Sequence, residues 1–220
     1  MKKYVIAVCL ALVSMACGGP RYVDYFPYHD DGRPKPKVAV VALKDACQSN
    51  INWEFSEELA QGLYCDLMEG GQLYVLSQGD VEAPNGKRAQ YDFTTIDAAF
   101  ATDFCEADFV AVLELIDHAV VPYDPCTKTE VSNPKGKSCL QAILTNVRVK
   151  VVDVRCSTPR IVLCEVIKSL YPLDVGVRVD SIGGMPWGSG AYYKTPCGMA
   201  HYRAIKEISH RLEDVIQCSR

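Results

Sequence analysis

Histidine is scarce in this sequence of 220 residues, which has four, at positions 29, 118, 201 and 210. Because imidazole is the side chain that most often exchanges protons or binds metals near neutral pH, this scarcity restricts catalytic and metal sites. A zinc site would have to combine histidine with cysteine, as in the set Cys197, His201, His210 and Cys218. On one helix, however, His201 and His210 are separated by about 13 Å, which is too far for a shared ion. We therefore expect no metal site.

The common catalytic and cofactor-binding motifs are also missing. No CxxC pair occurs, which excludes the usual acidic thiol of disulfide exchange. The Gly-Lys-Ser segment 136–138 resembles the end of a phosphate-binding loop, but Val131 stands where that loop needs glycine. Around Ser189, a nucleophile elbow would need glycine at the positions of Trp187 and Ala191. We therefore expect no catalytic residue, no cofactor and no enzymatic activity.

The first 16 residues predict export. Lys2 and Lys3 precede an apolar run, residues 4–14, which is shorter than the roughly 20 residues that a membrane-spanning helix needs. A short apolar run behind a positive start is typical of a signal peptide. Residues 1–16 are therefore predicted to be removed before the chain folds.

Ala16 and Cys17 resemble the cleavage site of a bacterial lipoprotein signal, where the peptidase cuts before a cysteine that carries diacylglycerol. Ser14 departs from this pattern, since such signals usually have leucine there. We predict that Cys17 is the lipid anchor in the membrane; cleavage after Ala16 without lipid, or an uncleaved anchor, are the alternatives. Position 18 is not Asp, which by the enterobacterial sorting rule favours the outer membrane, facing the periplasm. The inner membrane and the cell surface are the alternative locations.

The charge of the mature chain argues against nucleic acid as a partner. Loss of residues 1–16 removes two of the 23 basic residues and no acidic one, which leaves 21 basic against 27 acidic residues, a net charge of −6. Binding to phosphates requires clustered lysine and arginine, and no stripe of them occurs.

Residues 17–36 are predicted to be the lipidated cysteine and a tether, and residues 37–220 a single domain in the periplasm. The tether combines four aromatic residues with polar residues and ends with Pro34 and Pro36. It has no periodicity, and proline-containing segments tend to be extended.

The first half of the domain alternates strands with helices. Residues 38–43 (VAVVAL) form an apolar run of strand length, and Leu73–Leu76 is a second one. Between them, Ser56 begins a helix that ends at Gly70 and Gly71, and residues 95–104 predict another helix. Two such units in succession indicate parallel strands with right-handed crossovers.

The second half is rich in strands and ends in a helix. Residues 109–121, 140–154 and 161–170 are long β-type stretches, and the short turn before residue 161 predicts antiparallel pairing with one buried face. The last helix carries a stripe of Tyr202, Ile205, Ile208, Leu212, Val215 and Ile216. The predicted fold is therefore α/β, of the α+β type, with one mixed sheet in the order β-α-β-α-β-β-β-α. Its first half is parallel and its second half is an antiparallel meander.

This element order, together with several short patterns, is similar to the amino-terminal domain of TolB. It also resembles the related domain of penicillin-binding-protein activator lipoproteins and of the curli secretion channel. In these families a VAVLPF-type strand precedes Asp and a Ser-Glu-Glu-Leu helix start, and a later strand has an "ADYVL" pattern. The corresponding residues are 38–43, Asp45, 56–59, Asp80 with Val81, and 107–110. The resemblance covers about residues 37–170 and implies the fold more than a function.

Eleven cysteines are the most unusual feature of the composition. Cys9 leaves with the signal peptide and Cys17 carries the lipid, so nine remain in an exported, oxidising compartment, where cysteines commonly pair. Cys126 and Cys139 flank a polar loop between two strands that are predicted to pair, and we predict a disulfide between them. Cys65 and Cys105, late in helices, are expected to be buried and inert. Because nine is odd, one thiol must stay free or join another molecule.

These observations favour an envelope lipoprotein whose domain is a non-catalytic accessory module that binds an envelope protein. One alternative is a structural protein that disulfide bonds link into oligomers or to other cysteine-rich envelope proteins. The other is an enzyme with thiol chemistry, which would need an exposed cysteine of lowered pKa.

Overall fold

Among the residues that the structure describes, six strands form one mixed sheet. The computed structural model describes residues 25–45, 55–76, 96, 98–131, 140–173 and 189–219. In chain order the strands are β1 (Lys37–Asp45), β2 (Tyr74–Val75), β3 (Phe109–Asp124), β4 (Thr129–Glu130), β5 (Leu140–Asp153) and β6 (Arg160–Pro172). Their spatial order is β2-β1-β3-β5-β6, and the two-residue β4 pairs with β3.

The two halves of the sheet differ in strand direction. β1 runs parallel to β2 and to β3, while β3 with β5 and β5 with β6 are antiparallel. β1 and β3 are apolar on both faces, as expected for strands in the middle of a sheet that is covered on both sides. The predicted α+β fold with one mixed sheet is confirmed, and the short β4 is an addition to the predicted order.

In the described parts of the chain, three α-helices and a 3₁₀ turn accompany the sheet: α1 (Phe55–Gly70), α2 (Ala98–Asp103), the 3₁₀ turn (Tyr192–Lys194) and α3 (Pro196–Cys218). After α1 the chain turns at Gly71, whose φ of 66° lies in the left-handed region that glycine adopts without strain. α3 begins at Pro196, behind Thr195, whose hydroxyl accepts the backbone N–H of Gly198 at 3.1 Å. Both ends follow the usual chemistry of helix caps.

α1 and α3 cover one face of the sheet, called here the helix face. Their buried side chains pack on alternate residues of the strands, and the main contributors are Leu59, Leu63, Leu67, Ile205, Ile208, Leu212, Phe109, Leu113, Val149 and Val151. The opposite face has a smaller core, in which Phe100 and Phe104 from the α2 region pack on Ala39, Val110, Val112 and Val152. Each fully buried side chain of this size contributes about 1.5–3 kcal/mol from apolar burial.

α1 and α3 also contact each other directly. Gly62 of α1 faces the side chain of Ile205, so a larger residue at position 62 would meet the end of that side chain. One turn further on, Nζ of Lys206 lies 2.5 Å from Oδ1 of Asp66, and this ion pair raises the pKa of the lysine. The pair of helices therefore forms a single layer above the sheet.

The structure corrects three expectations about burial. Tyr202, predicted in the buried stripe of the last helix, is 40% exposed, and His201 takes the inward position beside it. β5 was expected to bury one face, but its even-numbered residues, including Lys150, are largely buried too. Cys65 and Cys105, expected to be buried, are exposed, because both lie on the outer side of their helix or turn.

Before β1, the second half of the predicted tether folds into a turn. The backbone N–H of His29 donates to the carbonyl of Arg33 at 2.8 Å, and Tyr28 forms an isolated bridge with Pro34. The predicted division of the chain at residue 36 stays a prediction; residues 1–16 and Cys17 lie outside the described residues. In the part of the chain that the structure describes, no helix combines the length and the apolar character needed to span a bilayer.

Candidate functional site

Four polar side chains meet in the interior, between the helix face of the sheet and the two large helices. They are Glu58 from the first turn of α1, His118 from β3, Tyr192 from the 3₁₀ turn and His201 from the second turn of α3. Each is 1% exposed or less. We call them the buried cluster.

A β-bulge brings His118 into the buried cluster. Leu115 lies on the helix face opposite Val147, but the register of β3 against β5 shifts between Leu115 and Asp117. After the shift His118 is opposite Thr145, which shares a face of β5 with Val147. Because one extra residue reverses the alternation of a strand, His118 points to the helix face, where the regular period would have placed Asp117.

Hydrogen bonds connect the cluster into a continuous chain. The Tyr192 hydroxyl donates to Oε2 of Glu58 at 2.8 Å and lies 2.6 Å from Nδ1 of His201. Nδ1 of His201 is also 2.9 Å from Oε2 of Glu58, and its Nε2 is 2.9 Å from Nε2 of His118. Since an ionised carboxylate only accepts hydrogen bonds, these partners assign a proton to Nδ1 of His201.

Burial governs the proton affinity of His118. Desolvation and the neighbouring His201 together lower its pKa from 6.5 to about 3, because both disfavour a positive charge at this position. His118 is therefore neutral at physiological pH. The contact between the two imidazoles is a hydrogen bond in which the Nε2–H of one ring donates to Nε2 of the other.

Tyr192 and Cys197 have their pKa values shifted upwards. Burial raises the pKa of the Tyr192 hydroxyl, and the negative charge of Glu58 adds to the effect, so the phenol keeps its proton. Burial, with a further contribution from Glu58, raises the pKa of the Cys197 thiol to about 12. A thiol in this state is a poor nucleophile.

The chemistry open to the buried cluster follows from its geometry. Glu58 and His118 contact opposite nitrogens of His201, so the three side chains do not converge on one point where an ion would sit. Within the described ranges, no group of three or more His, Cys, Asp or Glu residues could hold a metal ion. The cluster joins α1, α3 and the 3₁₀ turn to the sheet by hydrogen bonds, and those to the Glu58 carboxylate are charge-assisted.

Sequence reasoning missed this cluster. In the sequence Glu58 resembles an ordinary acidic residue near a helix start, and His201 suggests only a zinc ligand together with His210. One signal was present: His201 stands beside the apolar stripe of the last helix, where a buried histidine needs polar partners. The partners themselves are 83 and 143 residues away in the chain, and nothing local identifies them.

On the surface, a groove follows the outer strand of the sheet. It lies between β6 and α3, has a volume of about 400 Å³ and is lined by Glu165, Val166, Ile167, Lys168, Glu207, His210, Arg211 and Asp214. Within it Arg211 binds the carboxylate of Glu165 with two hydrogen bonds, of 2.6 and 3.1 Å. We call this the edge groove.

The predicted disulfide falls partly outside the described residues. Cys126 is exposed in the turn after β3, and Cys139 lies outside the described residues. Leu140, the next residue, pairs with Tyr123 near the end of β3, so the strands that flank the proposed bridge do pair antiparallel. None of the seven cysteines within the described ranges has a disulfide partner there. The Cys126–Cys139 bridge stays a prediction.

The fold and the cluster define the class of this protein: an α+β domain with one mixed sheet, two long helices on one face and a polar network enclosed beneath them. The chain belongs to DUF7499, a family of unknown function, whose family model matches residues 24–220. No curated protein matches the sequence significantly.

Several solved structures are similar to this chain. The hypothetical protein CT253 from Chlamydia trachomatis has a TM-score of 0.61 at 22% identity, with 84% of this chain and 99% of that chain covered. Lipoprotein GNA1162 from Neisseria meningitidis has a TM-score of 0.43 at 12% identity, and the match covers 80% of this chain and 99% of that chain. XCC0632 from Xanthomonas campestris, of family DUF330, has a TM-score of 0.47 at 9% identity, and the match covers 84% of this chain and 88% of that chain. The similarity to CT253 supports the fold, and the predicted resemblance to the TolB superfamily stays a prediction.

Proposed function

We propose that the protein is a lipid-anchored envelope protein that binds an extended segment of another envelope protein along β6, without catalysis. The observation that carries this proposal is the exposed edge of the sheet. Cys17 provides the anchor, and the sorting rule favours the outer membrane, facing the periplasm.

β6 offers an unusually long edge. It has 13 residues, whereas a typical strand has about five or six. Within the described residues, it pairs only with β5, and Ile161 and Val166 are 48% and 50% exposed. Most proteins protect such an edge with short strands or inward-pointing charges, because its free N–H and C=O groups can pair with another chain. An edge of this length and apolar character is suited to strand addition.

The edge groove gives the added strand a place for its side chains. The groove is lined by three acidic residues and two basic ones. The acidic residues are Glu165, Glu207 and Asp214, and the basic residues are Lys168 and Arg211. Because Arg211 is already bound to Glu165, the remaining carboxylates favour a partner segment with a basic residue among apolar ones.

The enclosure of the reactive groups supports a role without catalysis. The histidines and the carboxylate of the buried cluster lie beneath the helices at 1% exposure or less, where a substrate cannot reach them. Cys197, beside them, is 2% exposed and its raised pKa keeps the thiol protonated. This arrangement also disfavours the thiol-dependent alternative at that position.

Site-specific photo-cross-linking in intact cells tests the proposal. A photoreactive phenylalanine in place of Val166 is expected to yield one adduct with an envelope protein, mapped by mass spectrometry to an extended segment. Tyr202, which is exposed on α3 and does not line the edge groove, is the matched control position. A synthetic peptide of the mapped segment should then bind the purified mature chain, and Val166→Lys should weaken that binding by about tenfold, through the loss of an apolar contact.

Two results would contradict the proposal. Adducts of equal yield and pattern at positions 166 and 202 would show that β6 has no specific partner. A peptide affinity that Val166→Lys leaves unchanged would show that the partner binds elsewhere.

A second function is favoured by one observation. Six of the seven cysteines in the described part of the chain are exposed, at positions 65, 105, 126, 156, 164 and 218. In an oxidising compartment, exposed thiols can link the protein to itself or to other envelope proteins. Electrophoresis of intact cells with and without reductant tests this second function. Cross-linked species that reductant converts to monomer would support it, and monomer alone in both samples would reject it.

A further inference from the structure

We infer that the turn before β1 is a second membrane contact, in which Tyr25, Phe26 and Tyr28 insert into the interface of the bilayer. This inference rests on the proposed lipid anchor at Cys17. The turn would then hold the domain against the membrane in one orientation, instead of leaving it on a free tether.

The turn is an ordered part of the domain. The backbone N–H of Lys35 donates to the carbonyl of Pro27 at 2.9 Å, and Gly32 donates to His29 at 2.9 Å. At its base Pro36 is buried, and its carbonyl accepts the N–H of Tyr74 from β2 at 2.9 Å. The aromatic residues are therefore presented by a scaffold that is attached to the sheet.

The three aromatic side chains are the most exposed large hydrophobic residues among those described. Tyr25, Phe26 and Tyr28 are 64%, 65% and 59% exposed, and the next, Val166, is 50% exposed. They lie within four consecutive positions. Three exposed aromatic side chains close together in the chain, two of them with a polar end, suit the membrane interface, where one end is apolar and the other is wet.

The length of the chain identifies the bilayer as the occupant of this surface. Eight residues lead from Cys17 to Tyr25, and fully extended they reach at most about 29 Å. With its diacylglycerol in the membrane, Cys17 lies at the headgroups. The turn consequently stays within one bilayer thickness of the surface, at a high local concentration of lipid.

The charges of the turn predict which lipids it accepts. Residues 25–36 contain two acidic and two basic residues, Asp30, Asp31, Arg33 and Lys35. Nε of Arg33 binds Oδ2 of Asp31 at 2.6 Å, and its hydrogen bonds lower the pKa of that carboxyl, so the pair stays ionised and mutually neutralised. Insertion should therefore depend on the aromatic rings, and anionic lipid should add little.

Tryptophan quenching by brominated lipid tests the inference. The lipidated mature chain carrying Phe26→Trp is placed in phosphatidylcholine vesicles whose acyl chains are brominated, and Tyr202→Trp is the matched control in the same native tryptophan background. We expect strong additional quenching for Phe26→Trp, none for Tyr202→Trp, and the same result with added anionic lipid. Tyr25→Ser with Tyr28→Ser should reduce that quenching several-fold.

Flotation of the same vesicles separates the two proposals. If the chain does not float with the vesicles, or if the triple variant Cys17→Ser, Tyr25→Ser and Tyr28→Ser floats as well as the wild type, the lipid anchor is wrong. If the chain floats through Cys17 and Phe26→Trp is quenched no more than Tyr202→Trp, the membrane contact of the turn is wrong while the anchor stands. Quenching that appears only with anionic lipid would also overturn the inference, because attraction by charge would then replace aromatic insertion.

Discussion

Nε2 of His118 lies 2.9 Å from Nε2 of His201, although 83 residues separate them in the chain. One histidine belongs to β3 and the other to α3, so this contact joins the sheet to its covering helix. Two protonated rings at this distance would place two N–H groups against each other. The contact therefore holds one proton between the two Nε2 atoms, and because burial disfavours a positive charge on His118, acid should weaken the fold.

The first prediction concerns stability against pH. Folded His118 has a pKa of about 3 against 6.5 for a free histidine, so between these values the unfolded state binds the additional proton. Lowering the pH through this window should reduce the free energy of unfolding, with a slope approaching about 1.4 kcal/mol per pH unit. Urea unfolding at pH 7, 6, 5 and 4 measures the slope.

The variant His118→Gln should reduce the slope of the free energy of unfolding against pH, whatever its effect on stability at pH 7. His210→Gln is the matched control, since His210 is exposed on α3, outside the buried cluster. If His118→Gln unfolds with the slope of the wild type, the acid sensitivity has another origin.

A second prediction concerns the Tyr192 hydroxyl. Tyr192→Phe removes the donor to Glu58 and the contact with His201 while keeping the ring in place. Because a carboxylate in the interior loses one of its hydrogen bonds, we expect a loss of about 1–3 kcal/mol in the free energy of unfolding. Tyr202→Phe, at an exposed position, should change it by less than about 0.5 kcal/mol. Equal effects of the two substitutions in urea unfolding would argue against a stabilising role of the cluster.

A third prediction concerns the approach of α3 to the 3₁₀ turn. A Cβ atom on Gly198 would overlap the carbonyl oxygen of Tyr192, and backbone cannot move aside as a flexible side chain does. Gly198→Ala should therefore destabilise the protein by about 1–3 kcal/mol, through overpacking. Gly190→Ala is the control, since no atom of the described residues lies within 4 Å of its Cβ position. Thermal unfolding of both variants measures the effect, and indistinguishable midpoints would disprove the close approach.

A fourth prediction concerns the hairpin cysteines. In protein exported to an oxidising compartment, Cys126 and Cys139 should form a disulfide, which in the chain-entropy model contributes about 3 kcal/mol for a loop of this length. Peptide mapping by mass spectrometry without reduction should show the linked pair. Recovery of both peptides in alkylated form from unreduced protein would reject the bridge, and a serine variant of Cys126 serves as the control for the assignment.

Much of the fold could be predicted because its signals are local. The apolar run at 38–43 corresponds to β1, and Ser56 and Gly71 bracket α1 within about one residue. The turn composition between β5 and β6 predicted their antiparallel pairing. Burial was predicted less well: Tyr202 and His201 are adjacent, and periodicity alone assigned the core position to the wrong one of them.

The sequence by itself determined the order of the elements and the parallel and antiparallel halves of the sheet, because these depend on neighbouring residues. Only the tertiary structure decided which polar groups meet. The bulge between Leu115 and Asp117 turns His118 towards His201, and no local pattern indicates one extra residue in a strand. The same holds for the exposed edge of β6, because a strand becomes an edge through the strand order of the whole sheet and its own residues do not show it.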